Sequence, residues 1–193
     1  MKITIVLIAL IALCAGCNKN SVGITQTNKT VPANGELHYA APEGWLVEKT
    51  TSNMRVAQYK LPKAAGDNAD GEAVLYYFGQ GQGGTAQANI DRWLNQMQQP
   101  DGKPSKEKAK IENLTVNNLP VTTVDVVGTY NGGMTAPGAA PSATPSDMSN
   151  YRLRAAIIET PKGSYFVKLT GPQNTVAHWD QAYNDYIKSF EFK

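Results

Sequence analysis

Ala73-Val-Leu-Tyr-Tyr-Phe-Gly-Gln-Gly-Gln-Gly-Gly-Thr-Ala-Gln-Ala-Asn-Ile-Asp-Arg-Trp-Leu94 is the stretch of the chain that decides the fold. It begins with a β-branched and aromatic run over residues 74–78, which predicts a buried strand. Four glycines, at positions 79, 81, 83 and 84, then allow backbone angles that other residues avoid. After them, apolar residues recur at the spacing of one helix face, at Ile90, Trp93, Leu94 and Met97. The stretch therefore predicts a strand, a tight loop and a helix that returns over the strand at Val74, Tyr76 and Phe78.

The same glycines match the G-x-G-x-x-G fingerprint of dinucleotide-binding folds, at positions 79, 81 and 84. In those folds the helix leads into a second parallel strand, which ends in a carboxylate that binds the ribose. Here the predicted helix leads into the turn Pro100-Asp-Gly-Lys-Pro104, and Asp101 lies within that turn. No Gly-Lys-Ser/Thr follows the glycines, as a phosphate-binding P-loop requires. We interpret the loop as a close strand-to-helix connection and expect no nucleotide and no other cofactor.

Composition indicates one globular domain with tails. The chain has 193 residues, 41% of them hydrophobic and 18% charged, which suits a packed domain. Its net charge of +2 provides no basic surface of the strength that nucleic-acid binding requires, so we expect no nucleic-acid partner.

The N-terminal segment has the features of a bacterial export signal. Lys2 precedes an apolar core over residues 3–13, which is shorter than the roughly 20 residues that span a bilayer. Leu13-Cys-Ala-Gly-Cys17 resembles the lipobox, in which the last cysteine is acylated and becomes the mature N-terminus. The resemblance implies a signal peptide over residues 1–16, lipidation at Cys17 and a flexible tether over residues 17–35. The alternative is an ordinary secretory signal with an incidental Cys17.

Localisation follows from that interpretation. A lipidated protein of this kind lies in the bacterial cell envelope, anchored to a membrane. Asn18, directly after the cysteine, fits outer-membrane sorting at the periplasmic face if the bacterium is Gram-negative.

Few residues offer catalytic or metal-binding chemistry. Both cysteines lie in the first 17 residues, so the predicted mature chain has no pair for a disulfide or a thiolate site. His38 and His178 are far apart in sequence and lack neighbouring ligands, so we expect no metal. The chain has no Gly-x-Ser-x-Gly motif. We expect a protein that is not an enzyme, while an enzyme with an unrecognised site stays open.

The rest of the chain predicts a mainly antiparallel sheet with helices packed on it. The predicted strands cover residues 37–40, 45–49, 54–61, 109–116, 119–130, 151–159 and 164–169. Asn117-Asn118 is the predicted turn between two of them. A second helix is predicted over residues 175–190, and the Gly-, Pro- and Ser-rich residues 131–150 predict a mobile loop. These elements form an α+β fold in a single domain over residues 36–193.

Several motifs resemble a known fold family. Pro42-Glu-Gly-Trp45, two hairpins and the C-terminal Tyr186-Ile-Lys-Ser-Phe190 resemble the PsbP-like α/β sandwich. More narrowly, the Phe78-Gly-Gln-Gly-Gln-Gly-Gly motif is similar to that of uncharacterised exported bacterial lipoproteins. PsbP-like proteins bind unrelated protein partners and are not established enzymes, so the resemblance implies a binding or assembly module with an envelope protein as partner.

Four polar residues are candidates for binding a ligand or partner. Gln80 and Gln82 lie in the glycine loop, Arg92 lies one step off the apolar face of the helix, and Lys168 interrupts an apolar strand. For Arg92, Lys168 and the strand residue Asp125, we favour ion pairs between neighbouring strands, because charges near a core need partners. The functional alternative is a polar pocket with the glycine loop at its lip, which would make the protein a small-ligand carrier.

Overall fold

The computed structural model describes residues 34–131 and 148–193. The predicted signal peptide, Cys17 and most of the predicted tether lie outside these residues, as does most of the predicted loop 131–150. Ten strands and three α-helices are assigned within the described part of the chain. In chain order they are β1 (Leu37–His38), β2 (Leu46–Val47), β3 (Arg55–Leu61), β4 (Gly71–Tyr77), α1 (Ala86–Asn95), β5 (Met97–Gln98), β6 (Lys110–Val116), β7 (Leu119–Tyr130), β8 (Tyr151–Thr160), β9 (Gly163–Pro172), α2 (Gln173–His178), α3 (Asp180–Lys188) and β10 (Glu191–Phe192).

One eight-stranded sheet organises the domain. Its order is β2-β3-β4-β9-β8-β7-β5, with β6 also paired to β7, and the pairs are antiparallel. Asn117 and Asn118 have φ values of 46° and 67°, the left-handed geometry of a two-residue hairpin turn. The predicted turn between β6 and β7 is therefore confirmed. β1 leaves this sheet and pairs with β10, and both β1 and β2 are shorter than predicted.

The sheet has a packed core on each face. Side chains alternate between the two faces of a strand, so Ala155 and Ile157 of β8 enter one core while Ala156 and Ile158 enter the other. α2 and α3 cover the second face with Val176, Tyr183, Tyr186 and Ile187, and Phe190, directly after α3, joins the same core. α1 covers the first face. The predicted α+β sandwich, with a mid-chain helix and C-terminal helical structure on a mainly antiparallel sheet, is confirmed.

α1 lies farther from its own strand than predicted. Ile90, Trp93 and Leu94 are buried against residues of β7, β8 and β9, notably Val124, Leu153, Ala155, Ile157 and Phe166. Tyr76 and Phe78 join this core only as partly buried residues. The helix crosses three strands because the chain must travel from β4 to β5, on the far side of β9, β8 and β7.

The sequence predicted one helix over residues 175–190, but the structure has two helices there. The chain breaks at Trp179, whose φ and ψ are −96° and 11°, so α2 and α3 are separate helices. The indole N–H of Trp179 donates to the carbonyl oxygen of Pro62 at 2.9 Å, which anchors the break to the β3–β4 connection. Apolar spacing does not reveal such a break, because Val176, Tyr183 and Ile187 are buried on both sides of it. Among the described residues, no helix has the length and apolar character needed to cross a bilayer.

A buried polar network closes one edge of the sheet. β6 pairs with β7 as far as Asp125, and β5 pairs with β7 at Thr129 and Tyr130. Between β5 and β6, the Gln99 side-chain N–H donates to Ser105 Oγ and to the carbonyl oxygen of Val127, both at 2.9 Å. Ser105 Oγ in turn donates to the carbonyl oxygen of Met97 at 2.6 Å. Residues 126–128 of β7 pair with neither β5 nor β6. The hydrogen bonds of Gln99 and Ser105 hold the connection from β5 to β6 beside these residues and so shape the surface there.

Candidate functional site

The glycine loop between β4 and α1 is built for close packing. Its glycines 79, 81, 83 and 84 all have positive φ, at 102°, 71°, 88° and 79°. The hydroxyl of Thr85 accepts the N–H of Ala88 at 3.2 Å and caps α1. The buried side chain of Asn89 donates to the carbonyl oxygens of Gly83 and Thr85, at 2.8 and 2.9 Å. The loop does not join two neighbouring parallel strands, because β4 lies between β3 and β9 while β5 pairs with β7.

Gln80 and Gln82 lie away from the other candidate residues. Both are exposed, and the Gln80 amide reaches only the carbonyl oxygen of Pro161, at 3.5 Å, at the tip of the β8–β9 hairpin. Gly163 is also at this tip, and Lys168 lies five positions farther along β9, about 17 Å away by strand geometry. The structure therefore separates the two glutamines from Lys168.

Lys168 and Arg92 do come together, on the α1 face of the sheet. Lys168 Nζ donates to the side-chain oxygen of Gln96 and to the Tyr130 hydroxyl, both at 2.7 Å, and lies 4.9 Å from the Tyr130 ring centroid. Arg92 precedes Gln96 by four residues, so both lie on one side of the helix. The Arg92 guanidinium donates to Asn89 Oδ1 and is otherwise exposed. The predicted ion pair is wrong for Lys168, whose hydrogen-bond partners are neutral.

The surroundings of Lys168 perturb its ionisation. Burial lowers its pKa from 10.5 to about 8; Glu72 opposes that shift, and the positive charges of Arg92 and Arg55 add to it. Burial also raises the pKa of Tyr76 and, to about 12, that of Tyr130, so both tyrosines stay neutral below pH 9.5. Lys168 is therefore the group of this cluster that titrates just above neutral pH.

We expect this titration to appear as a pH-dependent stability. Unfolded Lys168 has a pKa near 10.4, so between about pH 8 and 9.5 the unfolded chain binds more protons than the folded one. The stability that comes from neutral Lys168 is fully present above the pKa of this group in the unfolded chain. It is lost as the pH falls through the pKa of Lys168 in the folded protein. The free energy of unfolding should therefore rise by about 1–2 kcal/mol from pH 8 to 9.5. Urea denaturation at several pH values measures it. The rise should disappear in Lys168→Met, and an equal rise in that variant would contradict the assignment.

Asp125 forms a network of ion pairs on the opposite face. Its carboxylate accepts two bonds from Arg152, at 2.8 and 2.6 Å, and lies 3.5 Å from Arg154 Nε. Asp180 of α3 pairs with the same two arginines, at 3.0 and 2.9 Å. Asp125, Arg152 and Arg154 lie on the neighbouring strands β7 and β8. The predicted ion pairing between neighbouring strands is confirmed for Asp125, and the network attaches α3 to the sheet.

A cleft of about 810 Å³ lies next to this network, where the β7 edge passes between β5 and β6. Its charged lining consists of Lys108, Lys110, Arg152 and Asp125, which is three cations against one carboxylate. Lys108 and Lys110 also pair with exposed carboxylates, at 3.7 Å to Asp101 and 3.0 Å to Glu112. Sequence reasoning missed this cleft, because its lining comes from segments that are distant in sequence.

Metal ligands are not clustered in the described part of the chain. Within it, no group of three or more His, Cys, Asp or Glu side chains lies close enough to hold an ion. His38 is exposed on β1, and His178 is exposed and lies edge-on to Trp179, with ring centroids 4.9 Å apart.

Comparison with known proteins supports the fold and does not assign a family. No protein-family profile matches the chain, and no curated protein matches it. Among solved structures, it is similar to LpqN, a protein involved in cell envelope biogenesis of Mycobacterium tuberculosis. The two share 10% identity with a TM-score of 0.50, over 83% of this chain and 86% of LpqN. PA94 from Pseudomonas aeruginosa, a protein of unknown function, aligns with a TM-score of 0.46 and 12% identity, over 75% of this chain and 94% of PA94.

Proposed function

We propose that the protein is a non-enzymatic binding module of the bacterial cell envelope, anchored through a lipid at Cys17. Three observations support this role. The Leu13-Cys-Ala-Gly-Cys17 segment resembles a lipobox, and several motifs resemble those of PsbP-like exported lipoproteins. The fold is similar to that of LpqN, which is itself involved in envelope biogenesis. An outer-membrane location at the periplasmic face belongs to the same proposal for a Gram-negative host, and intact-mass analysis of the mature protein tests the anchor.

The cleft beside β7 is the observation that carries the binding role. Its volume of about 810 Å³ falls in the range of binding sites for small ligands or peptide segments. On this edge of β7, residues 126–128 have no strand partner within the described residues, but the Val127 carbonyl oxygen already accepts a bond from Gln99. A bound segment would therefore contact the side chains that line the cleft. Arg152 is already paired with Asp125 and Asp180. Lys108 and Lys110 have only exposed, weak ion pairs with Asp101 and Glu112, so their ammonium groups suit an acidic segment of an envelope protein. We therefore place the partner in this cleft.

The two alternatives have less support. A small-ligand carrier was expected to use a pocket beside the glycine loop, but the two cavities described have other linings. The larger is the cleft, and the smaller, of about 290 Å³, lies between residues 118–120 and 159–161. An enzyme would rest on the lowered pKa of Lys168 alone. A perturbed pKa also arises in purely structural clusters, so we propose a non-catalytic role.

Charge reversal in the cleft tests the proposal. Replacing Lys108 and Lys110 by glutamate should weaken partner binding at least about 10-fold, because like charges would then face an acidic segment. The matched control replaces Lys103 and Lys106, which are exposed on the same connection and do not line the cleft. Chemical crosslinking in intact cells measures the adduct. An adduct that survives in the cleft variant but is lost in the control would refute the proposed location.

A further inference from the structure

α1 leaves part of its face of the sheet without a helix, and polar side chains cover that part. The helix packs on β7, β8 and β9, so the same face of β3 and β4 lies beyond it. There Arg55 donates to the side-chain oxygens of Gln58 and Glu72, at 2.9 and 3.1 Å. Gln58 is 7% exposed and also donates to Glu72, at 3.0 Å. Lys168 borders this layer, because it lies opposite Val74 in the β4–β9 register.

Positive charge exceeds negative charge where this polar layer meets α1. Arg92 lies one helical turn before Gln96, which accepts a bond from Lys168. Arg55 lies over the ring of Tyr76, a diagonal neighbour of Lys168 in the β4–β9 register. Both arginines accordingly disfavour the charged form of the lysine. Glu72 is the carboxylate that favours it, and Glu72 already accepts hydrogen bonds from Arg55 and Gln58. Glu48 also accepts a bond from Gln58, at 3.1 Å, but it is paired with Lys60 at 3.8 Å. Lys168, Arg92 and Arg55 thus share Glu72. Among the described residues, no carboxylate lies within ion-pair distance of Lys168 Nζ, whose hydrogen bonds go to Gln96 and Tyr130.

We propose that Lys168, Arg92 and Arg55 form a binding site for a phosphate monoester. The excess of two positive charges matches the two negative charges that a monoester carries near neutral pH. The planar guanidinium of Arg92 offers paired N–H donors to a tetrahedral oxyanion, and the Lys168 ammonium adds a point charge. The ligand oxygen takes the place of the Gln96 amide on Lys168 Nζ. Gln96 lies at the end of α1, with an intermediate exposure that lets its side chain turn outward.

Aromatic side chains give this site a floor. The Arg55 guanidinium lies 5.5 Å from the Tyr76 ring centroid, and Tyr76 stacks on Phe78 with ring centroids 6.1 Å apart. The Tyr76 ring holds the Arg55 guanidinium at the surface of the sheet, and the two rings offer a flat apolar contact to the body of a ligand. The site is independent of the cleft, because Lys168 and Tyr130 face α1, whereas Asp125 and Arg152 face α3.

Calorimetric titration with glycerol 3-phosphate tests the site. The protein used is the mature chain from residue 17 with Cys17→Ser, so that neither a lipid nor the apolar signal segment attaches it to vesicles in the second arm. Arg92→Gln and Lys168→Met should each weaken binding at least about 10-fold, the effect of losing a charge-assisted hydrogen bond. Lys162→Met, on the exposed tip of the same β8–β9 hairpin, is the matched control and should bind like the parent.

The pH dependence gives a second readout. The ligand is a dianion from pH 7.5 to 9.5, and Tyr76 and Tyr130 stay neutral over this range. Loss of the Lys168 proton should therefore weaken binding across this range, and Lys168→Met should abolish the trend. Arg92 is exposed, so Arg92→Gln is expected to fold and keeps the test decisive if Lys168→Met does not fold.

Vesicle flotation distinguishes two sources of the phosphate. Phosphatidylcholine vesicles with and without phosphatidic acid present the same group as a lipid headgroup. Flotation that requires phosphatidic acid and is lost in Arg92→Gln identifies a headgroup, whereas binding of glycerol 3-phosphate without such flotation identifies a free monoester. Either result supports the site. Failure to bind both probes, or binding that Arg92→Gln leaves unchanged in folded protein, overturns it.

Discussion

Replacing Gly83 by alanine is expected to lower the free energy of unfolding by about 3 kcal/mol. Gly83 has a φ of +88°, and a side chain in this left-handed region costs roughly 1–2 kcal/mol. A Cβ at this position would also lie 2.9 Å from ring carbons of both Phe166 and Phe78. These rings belong to the core under α1, so relief of the overlap costs roughly a further 1–3 kcal/mol. Urea denaturation of the purified domain measures the loss.

Gly81 is the matched control in the same loop. Its φ is +71°, but no heavy atom lies within 4 Å of a Cβ built there. Gly81→Ala should therefore show the backbone cost alone, about 1 kcal/mol. Both positions have positive φ, and the structure separates them by their packing. Equal losses in the two variants would show that Gly83 does not pack between the two rings.

Asp125→Ala is expected to cost about 3 kcal/mol. The variant leaves Arg152 and Arg154, with side chains 17% and 14% exposed, without the carboxylate that pairs with both. Breaking a buried ion pair by removal of one partner costs roughly 3–5 kcal/mol, and the partial exposure here lowers that figure. Asp180 retains its own bonds to both arginines but is 40% exposed, so it compensates only in part.

The control for this variant is Asp101→Ala. Asp101 pairs with Lys108 at 3.7 Å, and the two side chains are 43% and 54% exposed. Its loss should cost less than about 1 kcal/mol, as is usual for a surface pair. Thermal and urea denaturation of both variants provide the comparison. If Asp125→Ala proved as mild as Asp101→Ala, the network would not be what attaches α3 to the sheet.

Local signals predicted the parts of the fold that depend on neighbouring residues. The apolar spacing from Ile90 to Met97 located α1, and Asn117-Asn118 located a hairpin turn, because each pattern acts within a few residues. The break at Trp179 was missed because it depends on a contact with Pro62, 117 positions away. The path of α1 over β7, β8 and β9 was missed for a similar reason, since it follows from the strand order.

The candidate site was predicted only in part. Lys168 and Arg92 were predicted as charges near apolar surfaces, and the structure places both beside Gln96, which accepts a bond from Lys168 and follows Arg92 by one helical turn. The partners of Lys168 were beyond local reasoning, because Gln96 and Tyr130 lie 72 and 38 positions away in the chain. Gln80 and Gln82 were predicted as part of the same site, because polar residues in a glycine loop often lie at the edge of a ligand pocket. The positive φ values of the glycines instead serve the turn, and both glutamines lie at its exposed side.

Site-specific photo-crosslinking in cells tests the central proposal, a binding module that holds its partner in the cleft beside β7. A photoreactive residue at Val127, which is 36% exposed and lines the cleft, is compared with one at Gln82, which is exposed in the glycine loop. We predict an envelope-protein adduct at Val127 that is lost when Lys108 and Lys110 become glutamate, and none at Gln82. An adduct at Gln82 with none at Val127 would contradict the account and return the binding site to the glycine loop.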